Sequence, residues 1–243
     1  MLFSCMRAEL IKLKRSFIWI VFFLLPILST GMGYANYMNN LSILKKGWYS
    51  LWTQTTLFYS NFFFAPLIAV YCSYLWRLEN FNHNRNALMS APVPLSCLYA
   101  AQFLAVSCVT LLTQAYVGVL YVAAGRLAGL PGLPPVQTFV WLLRGTLGGL
   151  AIAALQLCLA SMIRNFALPI AFALLAGVGG VLAASSGWGL YYPYSLMLLG
   201  MNSNRDEDIL AGSSLPFLVS CVLFLGIFFW VGVAYLKKTD VRA

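Results

Sequence analysis

Six long apolar runs, separated by short polar stretches, dominate the pattern of this 243-residue chain. They occupy 17–37, 57–76, 97–123, 139–163, 166–184 and 215–236, and Arg144 is the only charged residue inside them. A bilayer core about 30 Å thick needs about 20 apolar residues in helix, which each run supplies. Lipid offers no partner to a free backbone N–H or C=O, and the runs are too long for barrel strands, so helices are the predicted form. Ahead of the first run, Phe3, Met6, Leu10, Leu13 and Phe17 recur at helical spacing, with Arg7, Lys12, Lys14 and Arg15 largely off that stripe. This predicts an amphipathic helix over 1–16 lying on the membrane surface. A basic flank that only fixes topology explains the same residues equally well.

Composition sharpens the class. Only 9% of residues are charged, while 61% are hydrophobic and the mean hydropathy is +0.83. Soluble domains carry about 25% charged residues, so much of this apolar surface must face lipid. The fold class is an all-α polytopic membrane protein, one transmembrane domain over 1–243 with six spans. Lys and Arg place it in the bilayer. The side holding both termini carries ten basic residues in 45, against four in 64 on the other side. The positive-inside rule then predicts both termini in the cytoplasm. The net charge of +9 is a topology signal, and its division among short loops beside lipid argues against nucleic acid as a partner. Ser29 to Gly33 lack an A-x-A-like cleavage site, so the first span is expected to be retained.

The chain offers little equipment for chemistry. Its single histidine, His83, lies between spans, and no acidic residue lies within one. A rhomboid-like protease, a prenyl-protease site and a metal or proton-coupled mechanism each lack their residues. The six cysteines lie in or beside spans without C-x-x-C spacing, which suits packing better than zinc or disulfides. No G-x-x-x-x-G-K-[ST] is present to cradle nucleotide phosphates.

Polar residues near the outer side are the candidates for ligand contact. Arg144 sits about a turn and a half into the fourth span; snorkelling or a structural pair is favoured over a substrate role. Gln114 and Gln156 are expected to bridge helices. Trp48, Tyr49 and Trp52, in a 38–56 loop, suit the membrane interface. The 185–214 loop contains Leu196-Met-Leu-Leu199, too short to span and suited to a re-entrant or interfacial helix, followed by Asn202, Asn204 and the acids Asp206, Glu207 and Asp208. The acids are either a solvated turn or a lure for cations. Gly145, Gly149 and Ala153, with Ala176, Gly180 and Ala184, predict close helix neighbours without naming them.

The loop 77–94 is the most informative segment on the terminal side. It is rich in Asn and ends at Pro92-Val-Pro94, which stops a helix before the third span. A short helix over roughly 79–90 is predicted, with Phe81, Leu88 and Met89 facing one partner while Asn82, His83, Asn84 and Arg85 belong to its polar part.

In this loop Glu79, then Leu88 and Met89, then Ala91-Pro92-Val93, resemble the Glu … Leu-Leu … Thr-Pro-Val pattern after the second span of ABC-2 type exporter permeases. The stretches 8–16, 48–54, 71–79 and 200–204 resemble one branch, the lantibiotic-immunity permeases of Gram-positive bacteria. The similarity runs over the whole chain. One departure is that His83, Asn84, Arg85 and Asn86 stand where the common pattern has Gly-Thr-Glu, which implies a specialised ATPase surface. The resemblance implies a permease subunit of the bacterial plasma membrane that binds no cofactor itself. Two copies of a separate ATPase, holding ATP and Mg, would dock beneath it and a second, related permease or a second copy of this chain. Glu79 to Met89 would form the coupling helix, and a lantibiotic-type cationic peptide would be the substrate. An ABC-2 permease for a drug or lipid, and a channel or sensor without an ATPase, are the competing possibilities.

Overall fold

The computed structural model describes residues 1–14, 16–81, 92–212 and 214–238. These are helical, with no strand among them. α1 (Leu2–Lys14) precedes α2 (Ile18–Asn39). α3 (Trp48–Phe58) continues through a π turn (Tyr59–Phe63) into α4 (Phe64–Asn80). α5 (Leu95–Leu127), α6 (Val136–Met162) and α7 (Ala167–Ser185) follow. A 3₁₀ turn (Gly189–Tyr191) and α8 (Pro193–Gly200) lead to α9 (Ser214–Lys238). Six helical stretches are long and apolar enough to cross a membrane, with α3, the π turn and α4 forming one of them. Six crossings put the two termini at one end of the bundle; the other end is called distal below. The polytopic all-helical class is therefore confirmed, as is a separate helix at the N-terminus.

The second span differs from its expected 57–76 limits. Its helix begins at Trp48 and runs 33 residues to Asn80. The polar stretch from 50 to 56 hides its hydroxyls by bonding within the helix. Thr53 Oγ1 donates to Ser50 O at 2.8 Å, Thr56 Oγ1 to Trp52 O at 2.8 Å and Ser60 Oγ to Thr56 O at 2.6 Å. Such back-bonding removes the usual cost of hydroxyls in an apolar setting. The predicted interface anchors move with it. Trp52 is 1% exposed, and its Nε1 donates to Met201 O at 2.9 Å; Trp48 is buried with Nε1 donating to Pro131 O at 2.9 Å. Both are core residues, and the connection between the first two spans shrinks to 40–47.

The apolar run at 196–199 forms a short helix, as expected of a re-entrant or interfacial piece. α8 is buried between α6 and α7, with Leu196 and Met197 fully enclosed. Of the small residues predicted to receive neighbours, Gly180 accepts this helix, and Gly148, which lies outside the predicted stripe, does so as well. A Cβ on Gly148 would fall 2.5 Å from Met197 N, and one on Gly180 would fall 3.0 Å from the Tyr194 carbonyl carbon. Absence of a side chain therefore lets backbone touch backbone. Gln156 Nε2 donates to the Tyr194 hydroxyl at 2.5 Å and Gln114 Nε2 approaches Met201 Sδ at 3.9 Å, so both glutamines bridge elements as expected.

Candidate functional site

At the terminal end, α1 lies against α5. Of its apolar stripe, Phe3 and Leu10 are exposed and Leu13 is buried, and Glu9, off that stripe, is buried with it. Glu9 is 1% exposed, and Lys12 Nζ donates to its Oε1 at 2.7 Å. The same ammonium donates to Glu79 Oε1 at the end of α4, where Glu79 is itself buried. Two carboxylates thus share one lysine, and the tie joins α1 to the second span at the point where the 77–94 loop begins. Trp19 Nε1 donates to Leu13 O at 2.8 Å and fastens α1 to the first span.

Among the described residues, one ammonium serves two carboxylates here, and the buried Glu9 Oε2 has no hydrogen-bond partner among them. Burial pushes the Glu9 carboxyl above its ordinary range, only partly offset by the Lys12 hydrogen bond and charge, with the Glu79 charge adding to the rise. For Lys12, burial opposes the charged form, but hydrogen bonds to Glu79 and Glu9 and their charges outweigh it and hold the ammonium above its usual range. Phe81 follows directly and is exposed. Asn82, His83, Asn84, Arg85, Leu88 and Met89 of the predicted coupling helix lie outside the described residues. Nearby, the Arg77 guanidinium stands 5.5 Å from the Phe166 ring centroid, linking this end of α4 to the turn between the fourth and fifth spans.

At the distal end the residues proposed to contact substrate fall into distinct roles. Arg144 Nη1 donates to Asp208 Oδ2 at 2.8 Å, and Gln137 Nε2 reaches the same oxygen at 2.7 Å. This is the structural pair favoured for Arg144. Asp206 is paired with Lys46 across the mouth of α3, and the Lys46 hydrogen bond holds its carboxyl below the usual range. Two of the three acids are thus matched by cations, leaving Glu207 exposed. Asn202 is fully buried with φ of 50°. Its amide donates to Arg205 O at 3.1 Å and Glu207 O at 2.8 Å, and its Oδ1 accepts from Ile209 N at 3.1 Å. That side chain builds the turn and presents nothing to a ligand. Asn204 is exposed, also left-handed at φ of 55°, and stands between two cavities of about 360 and 180 Å³.

Both cavities share a wall made from α3 and the π turn. Ser50, Thr53 and Gln54 line the larger one, and Leu57 and Asn61 the smaller, giving one face of helical spacing. Ser60 Oγ and Ser203 Oγ lie 2.7 Å apart, a hydrogen-bonded contact that keeps the 201–204 turn against this face. π turns recur at functional positions of helices. Glu9, Gln54 and Asn61 were not singled out from sequence. An acid in an otherwise basic surface helix was the available signal for Glu9; the helical spacing of 50, 53, 54, 57 and 61 was the signal for the others.

No curated protein matches the sequence. Residues 5–180 match the family described as ABC-2 family transporter protein, a span that takes in most of α1, the Glu9–Lys12–Glu79 tie, the first four spans and most of the fifth. The ABC-2 resemblance is thereby confirmed at family level, and with it a multi-pass membrane protein that serves as a permease component and is not a catalytic enzyme by itself. By this match over most of its length, the chain belongs to the ABC-2 family of transporter proteins.

Proposed function

We propose that this permease is driven by a separate ATPase, two copies of which bind ATP and Mg and dock against the 77–94 loop, and that it expels lantibiotic-type peptides from the bacterial plasma membrane. The observation that carries the coupling half is the buried tie of Glu79 to Lys12 and Glu9. Force applied to the loop meets no slack at its root, because α4 and α1 are joined there by charge-assisted hydrogen bonds within the fold. Movement of the loop is therefore passed to two elements at once. With both termini in the cytoplasm, this end faces the ATPase and the cavities beside Asn61 and Asn204 face outward.

The substrate half draws on the stretches similar to lantibiotic-immunity permeases and on the distal polar face, whose amides and hydroxyls suit a peptide backbone. Of the three distal acids, only Glu207 is left to meet a cationic side chain without first breaking an ion pair. A second, related permease completes the assembly. A drug or lipid exporter of the same family is the alternative class.

Cells expressing this chain, its ATPase and the second permease should survive higher peptide concentrations than cells lacking this chain; unchanged sensitivity would sink the substrate assignment. Glu79→Ala should insert normally yet lose most of the ATPase on co-purification. Normal recovery of the ATPase with that variant counts against the coupling role.

A further inference from the structure

The larger distal cavity has a chemistry that a cationic peptide does not explain. It opens between the 40–47 connection, the first turns of α3 and the 204–206 turn, and encloses about 360 Å³, within the range of small-ligand sites. Its charged lining residues are Lys45, Lys46 and Asp206. Lys46 is engaged by Asp206, whereas the exposed Lys45 ammonium has no partner among the described residues. Over its lining residues the cavity therefore carries a net charge of +1, with Glu207, whose charge also reaches Lys46, outside that lining.

Its hydrogen-bonding groups are biased in the same direction. Three of the side-chain acceptors are engaged, Asp206 by Lys46, Gln54 Oε1 by Asn36 Nδ2 at 2.6 Å and Thr53 Oγ1 by Gln54 Nε2 at 3.0 Å, while the Asn204 amide brings an acceptor and a donor group together. Donors remain. Ser50 Oγ accepts from Lys46 N at 3.0 Å but donates its own proton to no described group, and Lys45 keeps all of its ammonium protons. The first turn of α3 has no side-chain cap, so the positive end of the helix adds to the field. A site rich in donors, short of acceptors and net positive selects an anion.

Position selects the kind of anion. α2 ends at Asn39 and α3 begins at Trp48, so the cavity lies where the first two spans leave the apolar layer. Ile43 lines it and is 78% exposed, and Leu41 beside it is also exposed, which gives the polar opening an apolar border. We propose that this cavity binds the phosphate of an anionic phospholipid headgroup, with Lys45 as the principal contact, Ser50 as a hydrogen-bond donor and the acyl chains running down past Ile43. A zwitterionic amine headgroup is disfavoured because Asp206, the acid that would take the amine, is already held by Lys46. The proposal is independent of the transported substrate and of the ATPase.

The test uses the full chain purified in detergent, with native mass spectrometry of phosphatidylglycerol, phosphatidylcholine and inorganic phosphate binding. Phosphatidylglycerol should bind in preference to phosphatidylcholine. Lys45→Glu should weaken it at least about fivefold, the scale of one basic residue at a lipid surface. Lys45→Arg should retain it, and Arg126→Glu, an exposed reversal outside the cavity lining, should leave it unchanged. Equal binding by Lys45→Glu, or equal loss in Arg126→Glu, overturns the site. Binding of inorganic phosphate that is lost in Lys45→Glu without any preference among lipids assigns the cavity to soluble phosphate and overturns the lipid assignment.

Discussion

The two ends of the bundle use charge in opposite ways. At the terminal end one lysine is shut between two buried carboxylates, and that cluster joins elements 67 residues apart in sequence. At the distal end Lys46 and Asp206 meet in water, Arg144 and Asp208 meet half-buried, and the elements are held by backbone contact at Gly148 and by the buried Trp52. Burial is what separates them. An exposed pair gains little over its hydrated parts, while removing one member of a buried cluster strands the others without water. The terminal end is thus fastened by groups that tolerate no loss, and the distal end by packing, with exposed or half-buried ion pairs beside it.

The comparison can be broken at its strongest point first. Lys12→Met leaves Glu9 and Glu79 facing each other without a cation, and should cost about 3–5 kcal/mol of stability. The thermal midpoint in detergent measures this; a small decrease, comparable to that of an exposed lysine such as Lys14→Met, would refute the buried tie. Next is the packing at the distal end. Gly148→Ala drives a methyl into the backbone at Met197 and should cost about 1–3 kcal/mol, seen as a lower midpoint with α8 more open to proteolysis. Wild-type behaviour would mean that α8 does not sit this close.

The smallest effect is in pH. Glu9 has its carboxyl raised above an ordinary value of about 4.5, so the folded state takes up a proton before the unfolded state does. Stability from this group is full below the ordinary carboxylate value and declines as pH rises through the raised one. Lys12, raised above about 10.5, adds stability that is lost only in the alkaline range. The midpoint of the wild type should therefore climb as pH falls from neutral towards the ordinary carboxylate range, and Glu9→Gln should flatten the slope. Identical slopes in the two proteins would show that Glu9 is not the group responsible.

Much of this architecture was legible in the sequence because lipid enforces a simple rule. A span must be apolar throughout, so 17–37, 139–163, 166–184 and 215–236 can be read directly and agree closely with α2, α6, α7 and α9. The rule fails where a helix is enclosed by protein. Trp48 to Thr56 look like a loop because polar and aromatic residues interrupt the run, yet tertiary partners and back-bonded hydroxyls satisfy them. The same limit hid the site residues. Arg144 stands out as a charge in an apolar run, for which snorkelling or a structural pair is expected, and the structure has the pair; its partner Asp208, 64 residues away, is not legible, since no local pattern encodes that distance. Glu9 is not legible because the apolar stripe of α1, of which only Leu13 is buried, draws attention away from the polar residue beside it that is buried too.

The π turn at Tyr59–Phe63 gives the second span a consequence of its own. An α-helix advances about 100° per residue, so one additional residue in a turn changes the phase of everything beyond it. Above the turn, α3 addresses α2; below it, α4 addresses α6 and α7. The span behaves as two gears cut on one shaft with their teeth deliberately out of step. Any motion that converts the π turn to ordinary helix would rotate one set of contacts against the other, with the shaft itself unbroken.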